Sequence, residues 1–123
     1  MVHNLLVAVV DDDESVRESL PDLLREFGFA AVAYPSAEEF LASEKIGETK
    51  CLVLDIAMPG IAGLGLQREL KARGQEIPIV FITASKDECV RREALREGAA
   101  ALLLKPFSDT ALLEALNKAL RLG

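Results

Sequence analysis

Five short apolar runs alternate along this chain with longer stretches of helical period, and that alternation constrains its fold more than any other feature. Leu5-Leu6-Val7-Ala8-Val9-Val10 is almost wholly apolar, as a strand buried on both faces should be. From Glu14 to Phe27 the spacing turns helical, with Val16, Leu20, Leu23, Leu24 and Phe27 on one side and Gly28 as a C-terminal cap. Pro21 conflicts with that helix, since it removes one backbone bond and should bend it. The apolar face nevertheless continues through it.

The alternation repeats four times. Ala30 to Tyr34 reads as a strand, and Pro35-Ser36 opens a short helix ending near Ser43. Lys45 to Lys50 reads as a polar loop, followed by a third strand, Cys51 to Leu54, ending at Asp55. A Pro59-Gly60 turn leads into a helix from Gly63 to Arg73, in which Gly65 is a poor helix former. Ile79 to Ile82 is the fourth strand, ending at Thr83, and a charged helix runs from Cys89 to Glu97 with Gly98 as its cap. Ala100 to Leu104 is the fifth strand, and Ser108 caps a last helix from Asp109 to Leu120.

Strands and helices in strict alternation imply parallel βαβ units, right-handed crossovers and helices on both sheet faces. With 123 residues and no linker, residues 1–123 read as one domain. The chain is too short for the six-stranded dinucleotide-binding arrangement. The expected fold is therefore α/β, a flavodoxin-like five-stranded parallel sheet of order 2-1-3-4-5.

Composition excludes several roles. No stretch approaches the roughly 18 apolar residues of a membrane span, and no basic segment precedes the first apolar run, so neither membrane attachment nor secretion is expected. A net charge of −6 argues against nucleic-acid binding by this segment alone. Cys51 and Cys89 lack metal-ligand spacing and are expected to be reduced core thiols in a cytoplasmic protein. His3 is the single histidine, so no triad and no His-rich metal site is available.

In open parallel sheets, ligands bind beyond the carboxyl ends of the strands. The first strand ends in Asp11-Asp12, the third in Asp55, the fourth in Thr83 and the fifth in Lys105. One polar residue at one strand end means little, but three carboxylates, a hydroxyl and an ammonium at the same mouth form a constellation. Crowded carboxylates repel, so either their pKa values rise or a cation joins them. Oxygen ligands without His or Cys favour a hard cation such as Mg²⁺ or Mn²⁺. Lys105 and Thr83 supply a point charge and a hydroxyl donor for an anion, which suits a transferring phosphoryl group with a carboxylate nucleophile.

These residues, Val10-Asp11-Asp12-Asp13, Leu54-Asp55-Ile56-Ala57-Met58-Pro59 with Gly63, Ile82-Thr83-Ala84 and Lys105-Pro106-Phe107, resemble the response-regulator receiver domain of two-component signalling. The stretch from Asp11 to Leu20, with Ser36 to Leu41, is similar to the FixJ-like subgroup. The resemblance spans essentially the whole chain. It implies that Asp55 is the phosphoacceptor, that Asp11, Asp12, Asp55 and the Ala57 backbone carbonyl serve Mg²⁺ or Mn²⁺, and that Thr83 and Lys105 hold phosphoryl oxygens. It further implies a cis Lys105–Pro106 bond, a sensor histidine kinase as partner, and a phosphorylation-dependent homodimer through the fourth helix, fifth strand and fifth helix. A DNA-binding output domain beyond Gly123 is expected on the same ground, with a stand-alone receiver or docking module as the alternative. Asp13 reads as a helix-start residue rather than a ligand. Leu102 stands where many members carry Tyr or Phe, so the usual aromatic part of the switch is missing.

Two rival readings fail on single positions. Phosphatases of the haloacid-dehalogenase class need a second Asp two residues after the nucleophile, and Ala57 cannot transfer a proton. A flavodoxin-type flavin site needs a Ser-, Thr- and Gly-rich loop after Val10, where three acids would repel the phosphate.

Overall fold

The structure, a computed structural model, describes residues 5–56, 64–84 and 88–121. Its elements follow the expected alternation: β1 (Leu6–Val10), α1 (Glu14–Glu26), β2 (Ala30–Tyr34), α2 (Ala37–Leu41), β3 (Thr49–Asp55), α3 (Leu64–Ala72), β4 (Ile79–Thr83), α4 (Glu88–Arg96), β5 (Ala101–Leu104) and α5 (Asp109–Leu120). All strand pairs are parallel and the sheet order is β2-β1-β3-β4-β5. The flavodoxin-like arrangement is therefore the observed one.

Alternate strand residues feed two cores, one on each face of the sheet. Val7, Val9, Cys51, Val53, Val80 and Ile82 pack with Leu20 and Leu24 of α1 and Leu112 and Leu116 of α5. Ala8, Val10, Leu52, Leu54, Ile79 and Phe81 pack on the opposite face with Phe40 of α2, Leu66 and Leu70 of α3 and Ala94 of α4. This two-sided burial explains why β1, β3 and β4 read as continuous apolar runs instead of alternating ones.

Helix ends are set locally. The Asp13 carboxylate caps α1 by accepting from the Ser15 N–H at 3.0 Å, in keeping with its reading as a helix-start residue. At the other end, Gly28 takes φ +98°, its N–H donating to the Arg25 carbonyl while Phe29 N–H donates to that of Leu24. These paired bonds satisfy carbonyls that the last turn leaves open, and only glycine adopts that backbone without strain. Gly98 closes α4 in the same way. Ser36 and Ser108 cap α2 and α5 through their hydroxyls. Pro21 lies inside α1 and is buried, so its ring contributes apolar contact where its nitrogen cannot donate.

Three details depart from the sequence reading. Lys45 to Lys50 is not a plain loop: Ile46–Glu48 forms a 3₁₀ turn and β3 already begins at Thr49, whose hydroxyl donates to the Lys45 carbonyl at 2.9 Å. The second helix is shorter than expected, starting after its Ser36 cap and ending at Leu41. Cys51 is a buried thiol, but Cys89 is exposed on the first turn of α4. On α5, Leu112 and Leu116 are fully buried while Leu113 and Leu120 are partly buried against the same core. Gly65 is exposed near the start of α3. The Pro59-Gly60 turn, Gly63, His3 and Ala57 lie outside the described residues.

Candidate functional site

Register carries the strand-end residues to one mouth. Val10 pairs with Leu54, which sets Asp11 level with Asp55, and Asp55 itself pairs with Ile82. Thr83 pairs with Leu104, and the Lys105 N–H donates to the Thr83 carbonyl at 2.8 Å, which carries Lys105 to the same edge. β1 lies between β2 and β3, so successive crossovers leave it in opposite directions and open the crevice where Asp11 and Asp55 meet.

Asp11 is fully buried, Asp55 and Thr83 are buried, Asp12 is exposed and Lys105 is partly buried. Carboxylate oxygens of Asp11, Asp12 and Asp55 lie within 4.8 Å of one another. The Lys105 ammonium stands 3.6 Å from Asp11 Oδ2 and 3.6 Å from Asp55 Oδ2. Asp11 Oδ1 accepts the Asp13 N–H at 2.9 Å, whereas its Oδ2 accepts no hydrogen bond among the described residues. Burial pushes the Asp11 carboxyl above the ordinary aspartate range, and the charges of Asp55 and Asp12 push the same way. The Asp13 N–H and the Lys105 ammonium offset this only in part. The Lys105–Pro106 peptide is cis.

The donor set fits a hard divalent cation. It is all oxygen, it brings together more negative charge than one lysine offsets, and it includes a buried carboxylate oxygen lacking a hydrogen-bond donor. Asp11, Asp12 and Asp55 are the described residues that would hold Mg²⁺ or Mn²⁺. Asp13, by contrast, turns away into the helix cap, its pKa lowered by the Ser15 hydroxyl 2.7 Å distant.

A family model described as the response regulator receiver domain matches residues 7–117. The chain belongs to the response-regulator receiver family. Phosphorylation and Mg²⁺ binding at an acidic pocket are general features of these receivers, which serve two-component signalling. This receiver is 42% identical over 120 residues to the transcriptional regulatory protein FixJ of Azorhizobium caulinodans, covering 98% of this chain and 57% of that protein. It is 45% identical over 111 residues to nodulation protein W of Bradyrhizobium diazoefficiens, covering 90% of this chain and 49% of that one. The chain thus spans about half the length of the curated relatives it matches. Among solved structures, the crystal structure of FixJ-N superposes with a TM-score of 0.87 at 36% identity, covering 98% of this chain and 97% of that one. The response regulator StyR also gives 0.87, at 46% identity over 95% of this chain and 59% of its own.

Asp11, Asp12, Asp55, Thr83 and Lys105 are therefore brought to one mouth of the sheet. Reading along the chain missed Arg17, whose Nη1 reaches back from α1 to donate to the Asp11 backbone carbonyl at 3.0 Å. Its signal was an arginine one helical turn inside α1, on the side toward the strand end, which is a common sight on any helix. No helix among the described residues is long and apolar enough to cross a membrane.

Proposed function

We propose that residues 1–123 form one receiver that takes a phosphoryl group from the phosphohistidine of a sensor kinase onto Asp55. The observation that carries this reading is the Lys105 ammonium standing 3.6 Å from both Asp11 and Asp55 at the mouth of the sheet. An Asp55 carboxylate oxygen attacks phosphorus, the bond from phosphorus to the kinase imidazole nitrogen breaks, and an aspartyl phosphate forms. The Lys105 ammonium and Thr83 hydroxyl hold the equatorial oxygens, where charge spreads during transfer. Asp11, Asp12 and Asp55 would hold a divalent cation, joined in the receiver resemblance by the Ala57 carbonyl, and that cation would supply charge neutralisation during transfer. In the return reaction water attacks phosphorus, the bond to the Asp55 oxygen breaks and inorganic phosphate leaves. The domain in this reading catalyses both steps upon itself and is not an enzyme with a separate substrate.

The wider reading is a cytoplasmic regulator whose output is a DNA-binding domain, supported by the names of the relatives matched over half their length. Homodimerisation on phosphorylation is proposed through α4, β5 and α5. Two exposed large apolar side chains support it, Leu95 of α4 (45% exposed) and Leu104 of β5 (39%). The primary test is intact mass after incubation with acetyl phosphate and Mg²⁺. The wild-type chain gains one phosphoryl group and Asp55→Asn does not; an Asp55→Asn chain modified at the wild-type rate removes Asp55 from the role.

A further inference from the structure

The β1–α1 turn contains more hydrogen bonds than a helix start requires, and one of them crosses from the helix back to the strand. Asp11 N–H donates to the Tyr34 carbonyl at 3.2 Å, which ties the strand end to β2. Asp11 Oδ1 accepts from Asp13 N–H, and Asp13 in turn caps α1. The Asp11 carbonyl, past the last strand pairing of β1, meets the Arg17 guanidinium at 3.0 Å. Arg17 forms no ion pair among the described residues, although Glu14 and Glu18 share its helix. The donor is charged and the bond partly buried, so it is stronger than an ordinary surface contact.

Asp12 is where this matters. Its carboxylate is exposed and accepts no hydrogen bond among the described residues, so only its backbone orients it toward Asp11 and Asp55. The Asp11 carbonyl belongs to the peptide that joins Asp11 to Asp12. We infer that Arg17 is a positioning residue for cation binding: by holding that carbonyl it fixes the Asp11–Asp12 peptide and with it the carboxylate pair facing Asp55. The inference rests on the reading of Asp11 and Asp12 as ligands of a divalent cation.

Its test separates geometry from charge by sign. A guanidinium acting only as a nearby positive charge would oppose a cation, so its removal would tighten binding. A guanidinium acting as a positioning group would, on removal, weaken it. Titrating Mg²⁺ into the chain and following backbone amide shifts should give about tenfold weaker affinity for Arg17→Ala, the low end for partners that orient metal ligands. Arg17→Lys, which keeps a charged donor on a flexible stem, should recover most of the loss. Arg17→Met, retaining the aliphatic stem, replaces the alanine variant should that one fail to fold. Equal or tighter binding by the Ala or Met variant, beside a wild type that binds, overturns the role of Arg17 alone. A wild-type chain without saturable Mg²⁺ shifts overturns the ligand reading itself.

Discussion

The Lys105 ammonium stands 3.6 Å from Asp55 Oδ2, close enough for attraction but beyond a tight hydrogen bond, and it is shared with Asp11 at the same distance. Such a lysine opposes a cation at the carboxylates and favours a phosphoryl group on Asp55. Lys105→Ala should therefore leave Mg²⁺ affinity equal or higher while impairing the response to phosphorylation. Asp12→Ala should do the reverse and greatly weaken Mg²⁺ binding. Amide-shift titrations of both variants check the pair of signs, and a large loss of Mg²⁺ affinity in Lys105→Ala with normal activation would contradict the role given to it.

The two cysteines should differ sharply in reactivity. Burial pushes the Cys51 thiol up to about 12, so almost no thiolate forms at neutral pH. Its side chain is also fully buried in the core that α1 and α5 share, whereas Cys89 is exposed on α4. Titration with a chromogenic disulfide at pH 8 should release one equivalent from the native chain and two after denaturation. Peptide mapping should locate the native label on Cys89; rapid native labelling of Cys51 would count against the packing described.

Helices α3 and α4 are joined by Arg68, whose guanidinium reaches Glu97 at 2.7 Å and Glu93 at 3.4 Å. The Arg68 hydrogen bond and charge hold the Glu97 carboxyl below its ordinary value of 4.5. Because the folded pKa is lowered, the stabilisation is complete above that ordinary value and fades as pH falls through the folded one. Glu97→Gln should therefore lower Tm at pH 7, and the difference should close as the pH drops below 4.5. Added salt should shrink the effect at pH 7, since the pair is near solvent. Melting curves at three pH values decide it; a difference that grows in acid would assign the stabilisation elsewhere.

Self-association should depend on phosphorylation and on apolar groups of α4 and β5. β5 is the sheet edge beside β4, so a Thr83 drawn toward a phosphoryl group acts directly on its neighbour. Leu102, paired in register with Phe81 and packed in part against the core under α2, α3 and α4, has no ring to rotate. The expected response is a shift of population by side-chain repacking. Sedimentation at matched Mg²⁺, with and without beryllofluoride, should show a larger species with the mimic that Leu104→Ser abolishes. A chain that binds the mimic yet stays monomeric near roughly 100 μM, equivalent to about 5.5 kcal/mol of association free energy, would remove dimerisation of this domain from the mechanism.

Much of this was written in local pattern. An apolar run such as Val7 to Val10 suits a strand of a parallel sheet covered on both faces, and a polar residue at each run's end then falls at the ligand-binding edge. Capping chemistry at Asp13, Ser36, Gly28 and Ser108 is likewise decided within a few residues. Other features depended on what lies across the chain. Cys51 sits in a strand covered by helices and Cys89 on the open side of α4, and which thiol is buried is set by how those elements dock. Helix α5 docks on β3, β4 and β5, which buries Leu112 and Leu116 and leaves Leu113 and Leu120 partly exposed. The bond from Arg17 to the Asp11 carbonyl depends on how α1 leans over the strand end. Periodicity reports which side of an element is apolar, while distances between side chains on different elements exist only once those elements are packed.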